Sequence, residues 1–335
     1  MARPGELLRP QFTRQQYQDL TFLEEHVQNL LAHLPRDESS VELQPLLFKF
    51  TLDSTTAFLF GHSTKSLTDD DAGEGAIFAD TFDYAQDMVV KRFRLLDLYW
   101  LVGGSKFFKA CDKVHAFVDN IIEQRKNASP SAQDDTERYN FFDSVAEDAQ
   151  NPETLRGQLL NVLLAALRLY PSVPVNTRTA HKTTTLPTGG GPDGTSPILV
   201  RKGENVAYSV YVMHRREDLY GKDSHDFRPE RWEDTEMPLN KDPVTSSWGY
   251  LPFNGGPRVC LGQDFGLTLA SYTTVRILQN FPNIEPGPSQ RPELQEWFGW
   301  SSHRTTGIER ISKERQKMTL VMSSGSGCPI RFRRT

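Results

Sequence analysis

Residues 253–262 read FNGGPRVCLG, three glycines, a proline and an arginine crowded around one cysteine. No other stretch restricts the fold as much. Gly255 and Gly256 admit backbone conformations closed to other residues, so the loop can turn sharply and present the sulfur at close range. Pro257 has no N–H and stiffens the approach, and Gly262 leaves room just past the sulfur. A helical run follows at once: Leu261, Phe265, Leu269, Tyr272, Val275, Leu278 and Phe281 fall near one face over 261–281. Cys260 therefore stands ahead of a helix whose first amide N–H groups carry partial positive charge, which favours a thiolate. Arg258, two residues earlier, shares a face with the cysteine if the loop is extended.

The rest of the chain is mostly helical in pattern. Residues 13–34 carry Leu20, Leu23, Val27, Leu30 and Leu31 at helical spacing, with Thr13 placed as a cap. A second helix runs through LQPLLFKFTLDSTTAFLFG and stops at Gly61. Thr68 to Phe93 and Phe107 to Gln124 read as two more, separated by LYWLVGG. The polar run 127–137 is an exposed loop, and 153–170 is helical again up to Pro171. Beyond it VPVNTRTA, SPILV and ENVAYSVYVM read as short strands, joined by a glycine-rich turn, GGGPDG, that lacks the pattern of a phosphate cradle. The tail MTLVMSSGSGCPIRF reads as a hairpin around SGSG. The expected fold class is mainly α with a small β part, in one domain over 1–335, helical over 1–166 and mixed over 167–335.

Composition excludes several functions. A net charge of -5 over 335 residues argues against a nucleic-acid surface. Three scattered cysteines, Cys111, Cys260 and Cys328, form no CxxC pair, which argues against a disulfide framework or a zinc site. No run is long and apolar enough to span a bilayer, so no integral membrane segment is expected in this chain. What remains is the thiol. Most lone cysteines are inert and buried. A soft anionic ligand with a cation beside it, however, suits a metal cofactor bearing its own carboxylates, and haem, with its two propionates, has that chemistry.

Phe253, Gly256, Arg258, Cys260 and Gly262 fit the pattern F-x-x-G-x-R-x-C-x-G, five fixed positions in ten. Here the chain resembles the cytochrome P-450 family of haem-thiolate monooxygenases. LRLYPSVPVNTR (167–178) resembles the end of that family's K helix and the strand after it; FRPERW (227–232) resembles its meander, and LLRPQF (7–12) the end of its C helix. FDYAQDMVVKRFR and QLLNVLLA are closest in wording to fungal members that hydroxylate alkanes and fatty acids. The resemblance implies haem b as cofactor, with Cys260 as axial ligand to its iron and Phe253 shielding the sulfur. It places Arg258 and Arg178 at the propionates, and Arg168 and Arg231 in a structural Glu-Arg-Arg triad. It also implies electrons from NADPH through a separate NADPH–cytochrome P-450 reductase, a hydrophobic small-molecule substrate, and the cytoplasmic face of the endoplasmic reticulum. Without an anchor in the chain, a cytoplasmic location is the alternative.

Two departures from the pattern stand out. The family has an anchor and further helices ahead of LLRP, and Gly5 stands near where it has an arginine. More consequential is QLLNVLLAALRLYPSVPVN, where the beginning of an I helix runs straight into the end of a K helix near Ala165–Ala166. Most of the I–K helix region, with its acid–alcohol pair, is missing, so no catalytic residue is assigned and the P-450 fold is expected to be incomplete. Ala165 stands in place of the triad glutamate, and Glu153, about 22 Å from Arg168 along a continuous helix, cannot replace it. Arg168 and Arg231 are then expected to face each other without a carboxylate. A non-catalytic remnant or a faulty gene model, binding haem weakly or not at all, is the alternative to an active monooxygenase.

Overall fold

The computed structural model describes residues 20–61, 63–68, 73–127, 152–241, 248–287, 316–318, 321–325 and 327–333. They group into two compact units, 1–156 with 261–335, and 157–260.

In the first unit, α1 (Thr21–Ala32) and α2 (Leu43–Phe60) pack with α8 (Gln263–Asn280). The stripe read from spacing is the one that is buried: Leu20, Leu23, Val27, Leu30 and Leu31 join Phe50, Phe265, Leu269, Tyr272, Phe281 and Phe332 in one cluster. Leu278, placed on the same face of α8 by spacing, is instead exposed. Glu24 of α1 takes hydrogen bonds from Tyr272 and Arg276 of α8, the latter at 2.6 Å, and this pins the pair of helices together. The α2 helix is bounded as the sequence predicts. Glu42 caps its start by accepting from the Gln44 N–H, and Gly61 ends it in the left-handed conformation at φ 65°. A three-stranded antiparallel sheet, β1 (Ser40–Glu42), β9 (Pro329–Arg333) and β6 (Asn283–Pro286), lies in the same unit. So do α3 (Glu74–Arg94) and α4 (Gly104–Asn127), joined by a 3₁₀ turn over Leu96–Leu101 and stacked through Phe78 and Phe117.

The tail differs from the predicted hairpin around SGSG. The hairpin there pairs β7 (Gln316–Met318) with β8 (Met322–Ser324), and the residues after SGSG leave it as β9 to join β1 and β6. Glu42 explains the departure: its carboxylate accepts the Cys328 N–H while the Leu43 N–H donates to the Cys328 carbonyl. Those two bonds draw the chain onto the β1–α2 corner.

The second unit holds most of α5 (Pro152–Leu169) and four strands: β2 (Val175–Thr179), β3 (Thr184–Gly190), β4 (Ser196–Val200) and β5 (Asn205–Ser209). They form two separate ladders, β2 with β5 and β3 with β4. Polar TTLPTGG hid β3 from a reading based on apolar alternation, whereas GGGPDG is the tight turn expected, with Gly191 and Gly194 at φ 78° and 72°. VYVM is one helical turn, α6 (Val210–Met213), where the sequence suggested strand. Ser209 is the reason: its hydroxyl caps the turn by accepting from the Val212 N–H. A second short turn, α7 (Glu217–Tyr220), follows. The Thr13 cap and most of the 127–137 loop lie outside the described residues.

Candidate functional site

Of the two glycines expected to take conformations closed to other residues, only Gly256 does: it sits at φ 68°, where a side chain is strained. Gly255 is extended, but a Cβ there would come within 3.0 Å of the Trp248 ring and 3.1 Å of the Leu251 side chain. Asn254 also adopts positive φ, at 64°, which asparagine tolerates better than most residues. The loop closes on itself through the Cys260 N–H, which donates to the Phe253 carbonyl at 2.9 Å. Cys260 is exposed and its thiol is free; Phe253 is half-buried; Gly262 is the N-cap residue of α8.

Asn254 ties this loop to the β2–β5 ladder. Its side-chain oxygen accepts from the Tyr208 hydroxyl at 2.7 Å and its amide donates to Asn176 at 3.1 Å. Asn176 and Tyr208 are direct cross-strand partners, and Arg178 lies two residues on, on the same face of β2 as Asn176. Arg178 stacks over Tyr208 at 5.7 Å and otherwise, among the described residues, bonds only the Thr177 carbonyl. Among the described residues, neither Arg178 nor Arg258 pairs with a carboxylate, and both are exposed. An accessible soft ligand and two guanidiniums left free for carboxylates fit haem with its propionates.

Behind the loop lies a buried arginine cluster. Arg168 and Arg231 are each 1% exposed. Arg168 donates to the carbonyls of His214 (2.8 Å), Ser224 and Asp226 (2.9 Å), and lies over the Tyr220 ring. Burial, with Arg231 close by, lowers its pKa to about 10. The expectation that both arginines lack a carboxylate fails for Arg231. Asp223 accepts from it at 2.8 Å, and also from Arg228 at 2.8 Å, which holds Asp223 below the usual carboxylate range. Arg168 meets the expectation: it has carbonyl partners only among the described residues.

His214, which the sequence reading did not single out, connects this cluster to the loop. Its Nε2 accepts the Leu251 N–H at 2.8 Å, so Nδ1 carries the proton and donates to the Arg168 carbonyl at 3.1 Å. Burial, then the neighbouring arginines, lowers its pKa to about 4 and keeps it neutral. Tyr250 stacks on the ring at 5.1 Å and its hydroxyl donates to the Leu164 carbonyl. No spacing pointed to these residues: Arg215-Arg216 reads in the sequence as solvated surface, yet Arg215 is 7% exposed and bonds the Leu169 carbonyl. Asp223 and Asn254 carried no signal, because their partners are set by tertiary packing.

A family model described as cytochrome P-450 matches residues 6–166 and again 160–307, two matches that meet inside α5. A protein named cytochrome P-450 from Arthroderma benhamiae is 39% identical, over 98% of this chain and 74% of its own length. That alignment runs over 394 positions, more than the 335 residues of the chain, so the relative carries residues the chain lacks. Cytochrome P-450 52A5 from Candida maltosa is 37% identical over 86% of this chain and 68% of its own length. For 52A1 from Candida tropicalis the figures are 36%, 86% and 66%. The chain thus spans about two thirds to three quarters of the length of these relatives. Among solved structures, retinoic acid-bound cyanobacterial CYP120A1 superposes with a TM-score of 0.67 at 18% identity, over 98% of this chain and 77% of its own, and so shares the fold. Proteins of this kind use haem iron and electrons passed from NAD(P)H by a reductase. Sequence, fold and relatives agree that the chain belongs to the cytochrome P-450 family of monooxygenases.

Proposed function

We propose that Cys260 would hold the iron of haem b as a thiolate ligand in a reductase-dependent hydroxylase of lipid-like substrates, alkanes or fatty acids. The observation that carries this reading is the exposed, free Cys260 thiol at the end of a loop turned at Asn254 and Gly256, with Arg178 and Arg258 paired to no carboxylate among the described residues. Bound haem supplies the oxygen-activating iron; everything else here falls to the chain's own residues. With haem bound, the Cys260 thiolate would donate electron density to its iron, and the Cys260 N–H to Phe253 carbonyl bond fixes the residue that bears the sulfur. Arg178 and Arg258 would hold the two propionates by charge-assisted pairs. NADPH–cytochrome P-450 reductase at the cytoplasmic face of the endoplasmic reticulum is the expected partner. No helix among the described residues is long and apolar enough to cross a membrane. The test is the carbon monoxide adduct of the reduced protein supplied with haem. A red-shifted thiolate band that Cys260→Ser abolishes is expected; its persistence in the variant overturns the assignment.

A second reading, a non-catalytic remnant, draws on a specific observation. The two family matches meet at 160–166, where α5 runs without interruption to Leu169. The acid–alcohol pair and substrate-holding helix expected there have no counterpart, and positioned proton-transfer groups typically contribute ~10²–10⁴-fold. Incubation with haem, reductase, NADPH and a long-chain fatty acid separates the readings. Product at the rate of a full-length relative supports the enzyme; product only after the missing segment is restored supports the remnant.

A further inference from the structure

Four guanidiniums crowd the second unit around the end of α5: Arg168, Arg215, Arg228 and Arg231. Among the described residues, Asp223 and Asp234 are the carboxylates that pair with them. Both engage Arg228, only Asp223 reaches Arg231, and neither pairs with Arg168 or Arg215. The hydrogen-bond count points to the same shortage. Among the described residues the buried Nε–H groups of all four arginines have no acceptor, and the Arg168 and Arg231 side chains are the deepest of them, each 1% exposed. Native interiors seldom leave such donors unmet, and a charged donor left without a partner costs more than a neutral one. Ala165, three residues before Arg168 on the same face of α5, stands where the family resemblance places a glutamate; it is buried, and its methyl group accepts nothing.

We propose that the Arg168–Arg231 cluster is a binding site for one small carboxylate anion of formate size. The deficit has that chemistry: negative charge, a planar pair of acceptors matched to guanidinium edges, and little volume. Asp223 and Arg228 are 33% and 43% exposed, so the cluster borders water on their side. The site is independent of the haem assignment, since neither Cys260 nor its loop takes part.

The experiment is thermal unfolding of the purified, haem-free full chain in sodium formate against sodium chloride at equal ionic strength. Formate should raise the midpoint by about 2–4 °C at saturation, with a concentration dependence that chloride lacks. Ala165→Glu should supply the carboxylate within the chain, raising the midpoint in chloride and removing the response to formate. That variant also separates this site from Arg178 and Arg258, exposed guanidiniums at which formate could bind without any link to residue 165. An equal formate response in wild type and Ala165→Glu overturns the proposal, as does a wild-type chain that responds alike to formate and chloride. Should Ala165→Glu not fold, Ala165→Gln offers a neutral acceptor and should weaken the formate response instead. The wild-type titration stands without either variant.

Discussion

Two buried charges, one in each unit, are handled in opposite ways. Asp53, 2% exposed in α2, has its carboxylate saturated by donors. The Thr64 and Ser66 hydroxyls and the N–H groups of Ser66 and Leu67 all bond to it, the last three at 2.7–3.0 Å. Every one of those donors comes from the turn 11 to 14 residues along the chain. Arg168 takes its hydrogen-bond acceptors from 46 to 58 residues away, all of them carbonyls, and among the described residues its Nε–H has no acceptor. One nearby turn saturates the first charge, whereas carbonyls gathered from across the second unit leave the other with a donor to spare.

The largest test of this contrast is Asp53→Ala. Two backbone N–H groups and two hydroxyls would lose their acceptor in the interior, at about 1–3 kcal/mol for each group left unmet. The hydroxyls can rotate towards other acceptors and the amides cannot, so a loss of about 3–5 kcal/mol is expected in urea unfolding. Against a total of about 5–15 kcal/mol this approaches global unfolding. A cost near 1 kcal/mol would mean that the 64–67 turn does not depend on the carboxylate.

His214 offers a test of intermediate size through pH. Its folded pKa is lowered from 6.5 to about 4, mainly by burial. Between those values the unfolded chain binds the proton and the folded chain does not, so stability falls as pH drops from 6.5 towards 4. About 2 kcal/mol should disappear between pH 7 and pH 5 through this residue. Asp53 and Glu25 face His26, whose pKa burial also lowers, and His26 adds a loss in the same direction. The comparison that isolates His214 is therefore wild type against His214→Gln, in which the pH dependence should flatten. Equal slopes in the two proteins would place the proton elsewhere.

The helices were legible because their evidence is local. The stripe from Leu20 to Leu31, the Gly61 stop and the end of α5 ahead of Pro171 each depend on residues within a few turns. The cysteine loop was legible for the same reason, its glycines and Cys260 being adjacent. What escaped was decided across the fold. Glu42 drew the tail away from its hairpin, Ser209 turned a β-branched run into helix, and Asp223 reached Arg231 although no helical or strand spacing relates the two. The break near Ala165 was legible only through family resemblance, since α5 by its own periodicity is an ordinary helix.

Asp223→Asn is the smallest effect and the sharpest measure of how far one carboxylate serves this cluster. Asn keeps the shape and one acceptor but removes the charge that Arg228 and Arg231 share. Arg231 would still donate to the Tyr220 carbonyl and, at 2.7 Å, to the backbone carbonyl of residue 223. Asp223 is also one third exposed, so water screens part of the attraction. The expected loss is about 1–2 kcal/mol, well below that for Asp53→Ala. Its pH signature has the sign opposite to a raised-pKa group. Arg231 holds the folded carboxyl below its ordinary value, so the stabilisation is present above the unfolded pKa near 3.8 and vanishes as pH falls through the folded one. Wild type and Asp223→Asn should therefore differ at pH 7 and converge in acid. A loss above about 3 kcal/mol at pH 7 would show that Arg231 depends on this carboxylate as completely as the 64–67 turn depends on Asp53.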